Sequence, residues 1–268
     1  MSESTALSAD TASASDWVAT LRASQERLVA LASTVDEGVL VGPSYDTEWT
    51  VAQVFSHLGS SAEIFTHYFE AGANGTEVPG SDAAHPIWDA WNARTPLQQR
   101  DDSLVANETL VARIEALSPA EAEAFQLNLF GMDLDLAGFV RMRLSEHAVH
   151  TWDIAVAVDP TATLTPDVVD LLIDGVGQTA GWSGKPSSQP YTVRVDTVAP
   201  ARAFLIAVGD AVTLETIEGD AAADGQIALP AEALFRLVYG RLDPDHTPPV
   251  NETGSRGLSD LRLAFQGF

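Results

Sequence analysis

Glu146 and His150 stand four residues apart in a stretch of strongly helical character. At that spacing two side chains leave one helix face about a turn apart, which is how a helix offers two ligands to a single divalent ion. A third candidate lies far upstream, where Thr50 has the character of a helix N-cap and His57 follows within two turns. Two imidazole nitrogens and one carboxylate oxygen would leave a coordination position open for water or a substrate.

A Glu and a His at this spacing also fit a plain solvated helix face. The metal reading gains because the same helix is otherwise apolar at Val140, Leu144, Val149 and Ile154, and because helix bundles build metal sites from facing helices. His147 follows Glu146 directly and turns to another side of the helix, so it reads as a supporting or surface residue. Ten residues separate His67 from His57, close to three turns, which places it in the core or at the rim. His85 reads as an exposed loop residue. Asp153, three residues after His150, either orients that imidazole or caps its own helix face. Cations are scarce enough to notice: 14 Lys plus Arg stand against 38 Asp plus Glu, and Lys185 is the single lysine. Arg94, Arg141, Arg143 and Arg241 are therefore candidates for clamping a carboxylate, with pairing to a neighbouring acid as the alternative.

Those side chains need elements to hold them. Helical periodicity predicts a first helix capped at Ser15 or Asp16 and running to about Thr34, and a second from Thr50 to about Gly72. Residues 76–100 form a long connection containing Trp88, Trp91, Asn92 and Arg94, unusually aromatic for an idle loop. A third helix ends near Leu117, a short hairpin turns at Gly131, and the fourth helix, residues 136–158, carries Glu146 and His150. Pro166 opens a fifth helix reaching about Ala180. The Gly, Ser and Pro-rich residues 181–190 then form the natural boundary before strands at 191–196, 203–208, 212–218 and 225–229 and two closing helices. The expected organisation is a tail over 1–14, a helix bundle over 15–182 and a smaller α+β domain over 188–268.

A hydrophobic fraction of 46% supports real cores, and the formal charge of −24 disfavours nucleic acid and anionic membranes as partners. Without cysteine, no disulfide and no internal thiol nucleophile exist, so any sulfur chemistry must use a thiol from outside. The absence of a signal-like segment or a long apolar run predicts a cytoplasmic protein; either a monomer or a homodimer is compatible with the sequence.

The Trp49, Thr50, Val51 stretch leading to His57, the run Trp91, Asn92, Ala93, Arg94, Thr95, Pro96, and the motif from Glu146 through His150 to Asp153 together resemble the mycothiol-dependent maleylpyruvate isomerase family of DinB-like proteins. Pro230 to Leu234, followed by Tyr239, Gly240 and Arg241, resembles that family's sterol-carrier-like C-terminal domain. The resemblance implies an up-down four-helix DinB-like bundle joined to an α+β domain. It implies zinc or a similar divalent ion on His57, Glu146 and His150, and mycothiol as thiol cosubstrate. The implied reaction is attack of a thiolate on an electrophilic small molecule, as a cis-trans isomerase or an S-transferase, with Arg94 and Arg241 as anchors for a carboxylate. The alternatives are a metal-dependent hydrolase using activated water and a noncatalytic DinB-like binding module.

Overall fold

A computed structural model describes residues 12–45 and 48–267. The expected tail lies outside the described residues as far as Thr11. Two compact units divide at Ala162 and Thr163.

The first unit contains α1 (Ala14–Ala32), α2 (Glu37–Leu40), α3 (Val51–Asn74), α4 (Ala84–Asn92), α5 (Pro96–Glu115), α6 (Pro119–Ala124), the hairpin β1 (Leu127–Leu129) and β2 (Met132–Leu134), and α7 (Leu136–Val158). Caps fix where the long helices begin. Ser13, rather than Ser15 or Asp16, caps α1, while Asp16 closes a capping box by accepting from the Ser13 amide. Thr50 and Gln53 form the same box for α3, and Gly75 ends that helix in the left-handed region at φ 63°. Thr95 caps α5 ahead of Pro96, and Asp135 caps α7.

Around the bundle the long helices follow the order α1, α5, α3, α7, each packed on two neighbours. Helices α3 and α7 are thus adjacent, although α5 lies between them in the chain. Leu21, Leu28, Val54, Phe55, Leu58, Leu110, Phe139, Leu144 and Ile154 fill the interior. The aromatic connection is largely helical: α4 lies on α3 so closely that a Cβ at Gly59 would come within 2.1 Å of the Trp91 ring. This contact, with the Trp91 indole donating to Glu63 at 2.8 Å, anchors α4.

The second unit begins with α8 (Pro166–Leu172), a single 3-10 turn over Ile173–Gly175 and α9 (Val176–Ser183), where one continuous helix was expected. It continues with β3 (Tyr191–Val198), β4 (Arg202–Val208), β5 (Val212–Thr216), β6 (Gly225–Pro230), α10 (Ala231–Val238), β7 (Asn251–Gly254) and α11 (Leu258–Ala264). The sheet order is β5-β4-β3-β6-β7, antiparallel except for the central parallel pair β3 and β6. The expected boundary at residues 181–190 falls inside this unit. The reason is packing: Gly177 approaches the Leu214 carbonyl and Gly184 the Val212 side chain, so α9 belongs to the sheet. Strand β7 is fully exposed and has no alternating apolar pattern, which is why periodicity does not reveal it.

Candidate metal centre

Helix α3 supplies His57 and α7 supplies Glu146 and His150. Because the two helices are neighbours, one potential ligand atom from each residue falls within 4.8 Å of the others. Glu146 Oε2 lies 3.5 Å from His57 Nε2 and 3.7 Å from His150 Nε2, and the two imidazole rings sit 4.4 Å apart, edge to face. His57 Nε2 is buried and has no hydrogen-bond partner. A buried nitrogen left unpaired costs free energy, and a divalent ion accepting its lone pair would remove that cost. The donor set, two imidazoles and a carboxylate, suits such an ion.

The electrostatics keep these groups ready to ligate. Burial holds the His57 imidazole below its ordinary value, and the charges of His150 and Arg143 push the same way against the opposing pull of Glu146. Burial works to raise the Glu146 carboxyl, but the facing His57 and the positive field of His150 and Arg143 outweigh it, leaving its pKa at about 2. The site therefore favours neutral His57 and ionised Glu146 at pH 7, the forms that bind a cation. Asp153 is fully buried and meets His150 Nδ1 at 2.9 Å, which leaves Nε2 to face the site.

Behind the three residues lies a buried polar layer. Arg143 donates to Ser61 Oγ at 2.9 Å, to the Leu58 carbonyl at 3.2 Å and to Asn107 Oδ1, tying α7 to α3 and α5. Burial lowers its pKa to about 10, with Glu146 opposing the shift. His147 has no exposed surface: its Nδ1 meets Ser24 Oγ at 2.8 Å and its Nε2 meets Gln25 Oε1 at 3.3 Å, so it joins α7 to α1. That overturns the surface alternative for His147. Its side of α7 faces α1 rather than solvent.

In front lies a cavity of about 620 Å³, lined by Trp49, Gln53, His57, Ser60, Trp88, Asn92 and Gln99. Its size falls within the range of small-molecule sites. Trp49 lies 5.3 Å from His57 and stacks 6.4 Å from His150, closing one side. The remaining candidates have surroundings of their own. His67 is exposed, because ten helical residues carry it about 80° off the His57 direction. His85 is exposed on α4, its ring 5.4 Å from that of Trp88. The Arg94 guanidinium carbon lies 3.5 Å from the centre of the Trp91 ring, its Nη1 is 3.5 Å from Asp102 but buried without a hydrogen-bond partner, and Arg141 is half-buried. Arg241 belongs to the second unit, where it donates to the Tyr239 carbonyl at 2.8 Å. Gln53, Ser60 and Gln99 went unnoticed in the sequence, although Gln53 and Ser60 stand four before and three after His57, spacings that place them on its face.

A family model for the mycothiol maleylpyruvate isomerase N-terminal domain matches residues 21–155, half of the chain. Among solved structures, the mycothiol-dependent maleylpyruvate isomerase matches with a TM-score of 0.70 at 13% identity, over 94% of this chain and 98% of that one. A mutant of the mycothiol-dependent maleylpyruvate isomerase gives a TM-score of 0.65, also at 13% identity, over 88% and 92% of the two chains. These likenesses extend the shared fold across both units. A comparison with curated proteins gives no match. With the family model covering the helices that carry His57, Glu146 and His150, the chain belongs to the mycothiol maleylpyruvate isomerase N-terminal domain family.

Proposed function

We propose that the protein is a metal- and mycothiol-dependent enzyme that adds a thiolate to an electrophilic small molecule, as a cis-trans isomerase or an S-transferase. The observation that carries this reading is the convergence of His57, Glu146 and His150 within 4.8 Å beside a cavity that His57 itself lines. The family membership supports mycothiol as the thiol, and a chain without cysteine has none of its own.

His57, Glu146 and His150 would hold the ion, zinc being the first candidate for such a set, and the chemistry an ion supplies there is to lower the pKa of a thiol. The chain's own groups do the rest. Asp153 fixes the orientation of His150. Trp49 and Trp88 line the cavity with indole faces, while Ser60, Asn92 and Gln99 line it with neutral hydrogen-bonding groups. In the isomerase form, a sulfur–carbon bond forms as the alkene π pair shifts away and the former double bond becomes single. Rotation, then return of the pair with expulsion of the thiolate, leaves the trans alkene with no net change of atoms. In the transferase form the sulfur–carbon bond remains and the adjacent carbon takes up the proton that the thiol lost.

The test is elemental analysis of untagged protein followed by thermal unfolding with and without mycothiol. About one divalent ion per chain, and stabilisation by mycothiol that disappears in His150→Ala, are the expected results. No metal and no thiol effect would overturn the proposal, and turnover independent of mycothiol would point to activated water instead.

A further inference from the structure

Arg143 is a costly residue for the place it occupies. Its side chain is 1% exposed, and it remains a cation at neutral pH although burial lowers its pKa to about 10. Burying a guanidinium is expensive unless an acid pairs with it, yet among the described residues no carboxylate forms an ion pair with this one. Its donors go to the Ser61 hydroxyl, the Leu58 carbonyl and the Asn107 side-chain oxygen. Its guanidinium carbon also stands 5.4 Å from the centre of the Phe65 ring. A neutral amide would strap α7 to α3 and α5 at a smaller desolvation cost, so the strap does not account for the charge.

That charge is felt at both His57 and Glu146. Arg27, whose charge also reaches the buried layer, is felt at His147 and at neither of those two. Taking His57, Glu146 and His150 as metal ligands, we infer that Arg143 is a positioning residue, a fixed positive charge behind the ligands that biases the open coordination position towards an anion. It favours a thiolate there over the protonated thiol or water. Charge counting within the bundle supports this. The two positive charges of a divalent ion would be balanced by Glu146 and by Asp153 behind His150. Arg143 then leaves one positive charge in surroundings of low dielectric, where Coulomb attraction is strong. An anion in the open position neutralises it, and a neutral ligand does not.

A pair of small ligands that differ in charge tests this on the full chain saturated with cobalt(II). Binding of azide, an anion, and of imidazole, at a pH where it is uncharged, is read from the visible absorption of the cobalt. Arg143→Gln removes the charge and should weaken azide at least about tenfold while leaving imidazole within about twofold. Arg143→Lys keeps the charge and should hold azide close to the unmodified protein. Should Arg143→Gln fail to fold, Asn107→Asp leaves the arginine in place and cancels its charge with a carboxylate shaped like the amide, to which the Ser103 hydroxyl can donate. It should lower azide affinity in the same way. Unchanged azide binding in the charge-cancelling variants, or azide and imidazole weakening together as a purely structural role requires, overturns the inference. The proposed function fails separately. Azide binding that depends on Arg143, with no effect of mycothiol on thermal stability, keeps this role and sinks the thiol chemistry, whereas a chain that takes up no cobalt overturns both.

Discussion

Asp153 has no exposed surface and stands 2.9 Å from His150 Nδ1, so removing its charge should be felt at the opposite nitrogen. Asp153→Asn is expected to weaken metal binding by about 10- to 100-fold, measured by competition with a chromogenic chelator, while circular dichroism stays unchanged. His57→Ala, Glu146→Ala and His150→Ala should each lower bound metal further, and unchanged stoichiometry in all three would refute the ligand set. Glu146 and His150 were legible because their spacing is a local property of one helix. Their union with His57 required knowing that α3 and α7 are neighbours, which no local pattern encodes. His147 shows the limit from the other side. One residue from Glu146, it reads as a supporting or surface group, yet its burial is decided by Ser24 and Gln25 of a distant helix.

Among the elements, α4 has the most direct bearing on the cavity, since it carries Trp88 and Asn92 and is held by Trp91 lying against Gly59. Gly59→Ala should therefore push α4 outward and destabilise the protein by about 1–3 kcal/mol, the usual range for overpacking. Denaturant unfolding and a red shift of tryptophan emission would register it. In the sheet, Arg194 and Gln226 both donate to Asp196 and hold its carboxyl below the usual aspartate value of 3.8, Arg194 more strongly. A depressed carboxylate stabilises the fold above its unfolded pKa, and that contribution is lost as the pH falls through the folded value. Asp196→Asn should thus cost under about 1 kcal/mol at pH 7 and nothing in strong acid, as read from unfolding at a series of pH values. Helices with clear stop signals were legible, α7 to its ends, and so was the hairpin at Gly131. The interruption at Ile173–Gly175 was not, because Val169, Leu172 and Val176 keep a helical period across it.

For the whole molecule, a formal charge of −24 means that self-repulsion opposes compaction. Raising the salt from about 10 mM to about 500 mM shortens the Debye length several-fold, so the unfolding midpoint should rise, as calorimetry at fixed pH would record. Among the described residues no helix is long and apolar enough to cross a membrane. The division at Ala162 was hidden from composition because α8 and α9 resemble bundle helices until Gly177 of α9 and Gly184 at its end are seen against β5. The ring order of the bundle has a consequence for the protein's birth. A chain emerging from the ribosome presents His57 early, and α3 finds α5 as its neighbour before α7 has been made. Glu146 and His150 arrive only with the last long helix of the unit, so the three side chains cannot converge on a partly synthesised chain. Under the proposed function, acquisition of an ion would thereby wait until the bundle is complete, and a loaded site would mark a folded bundle.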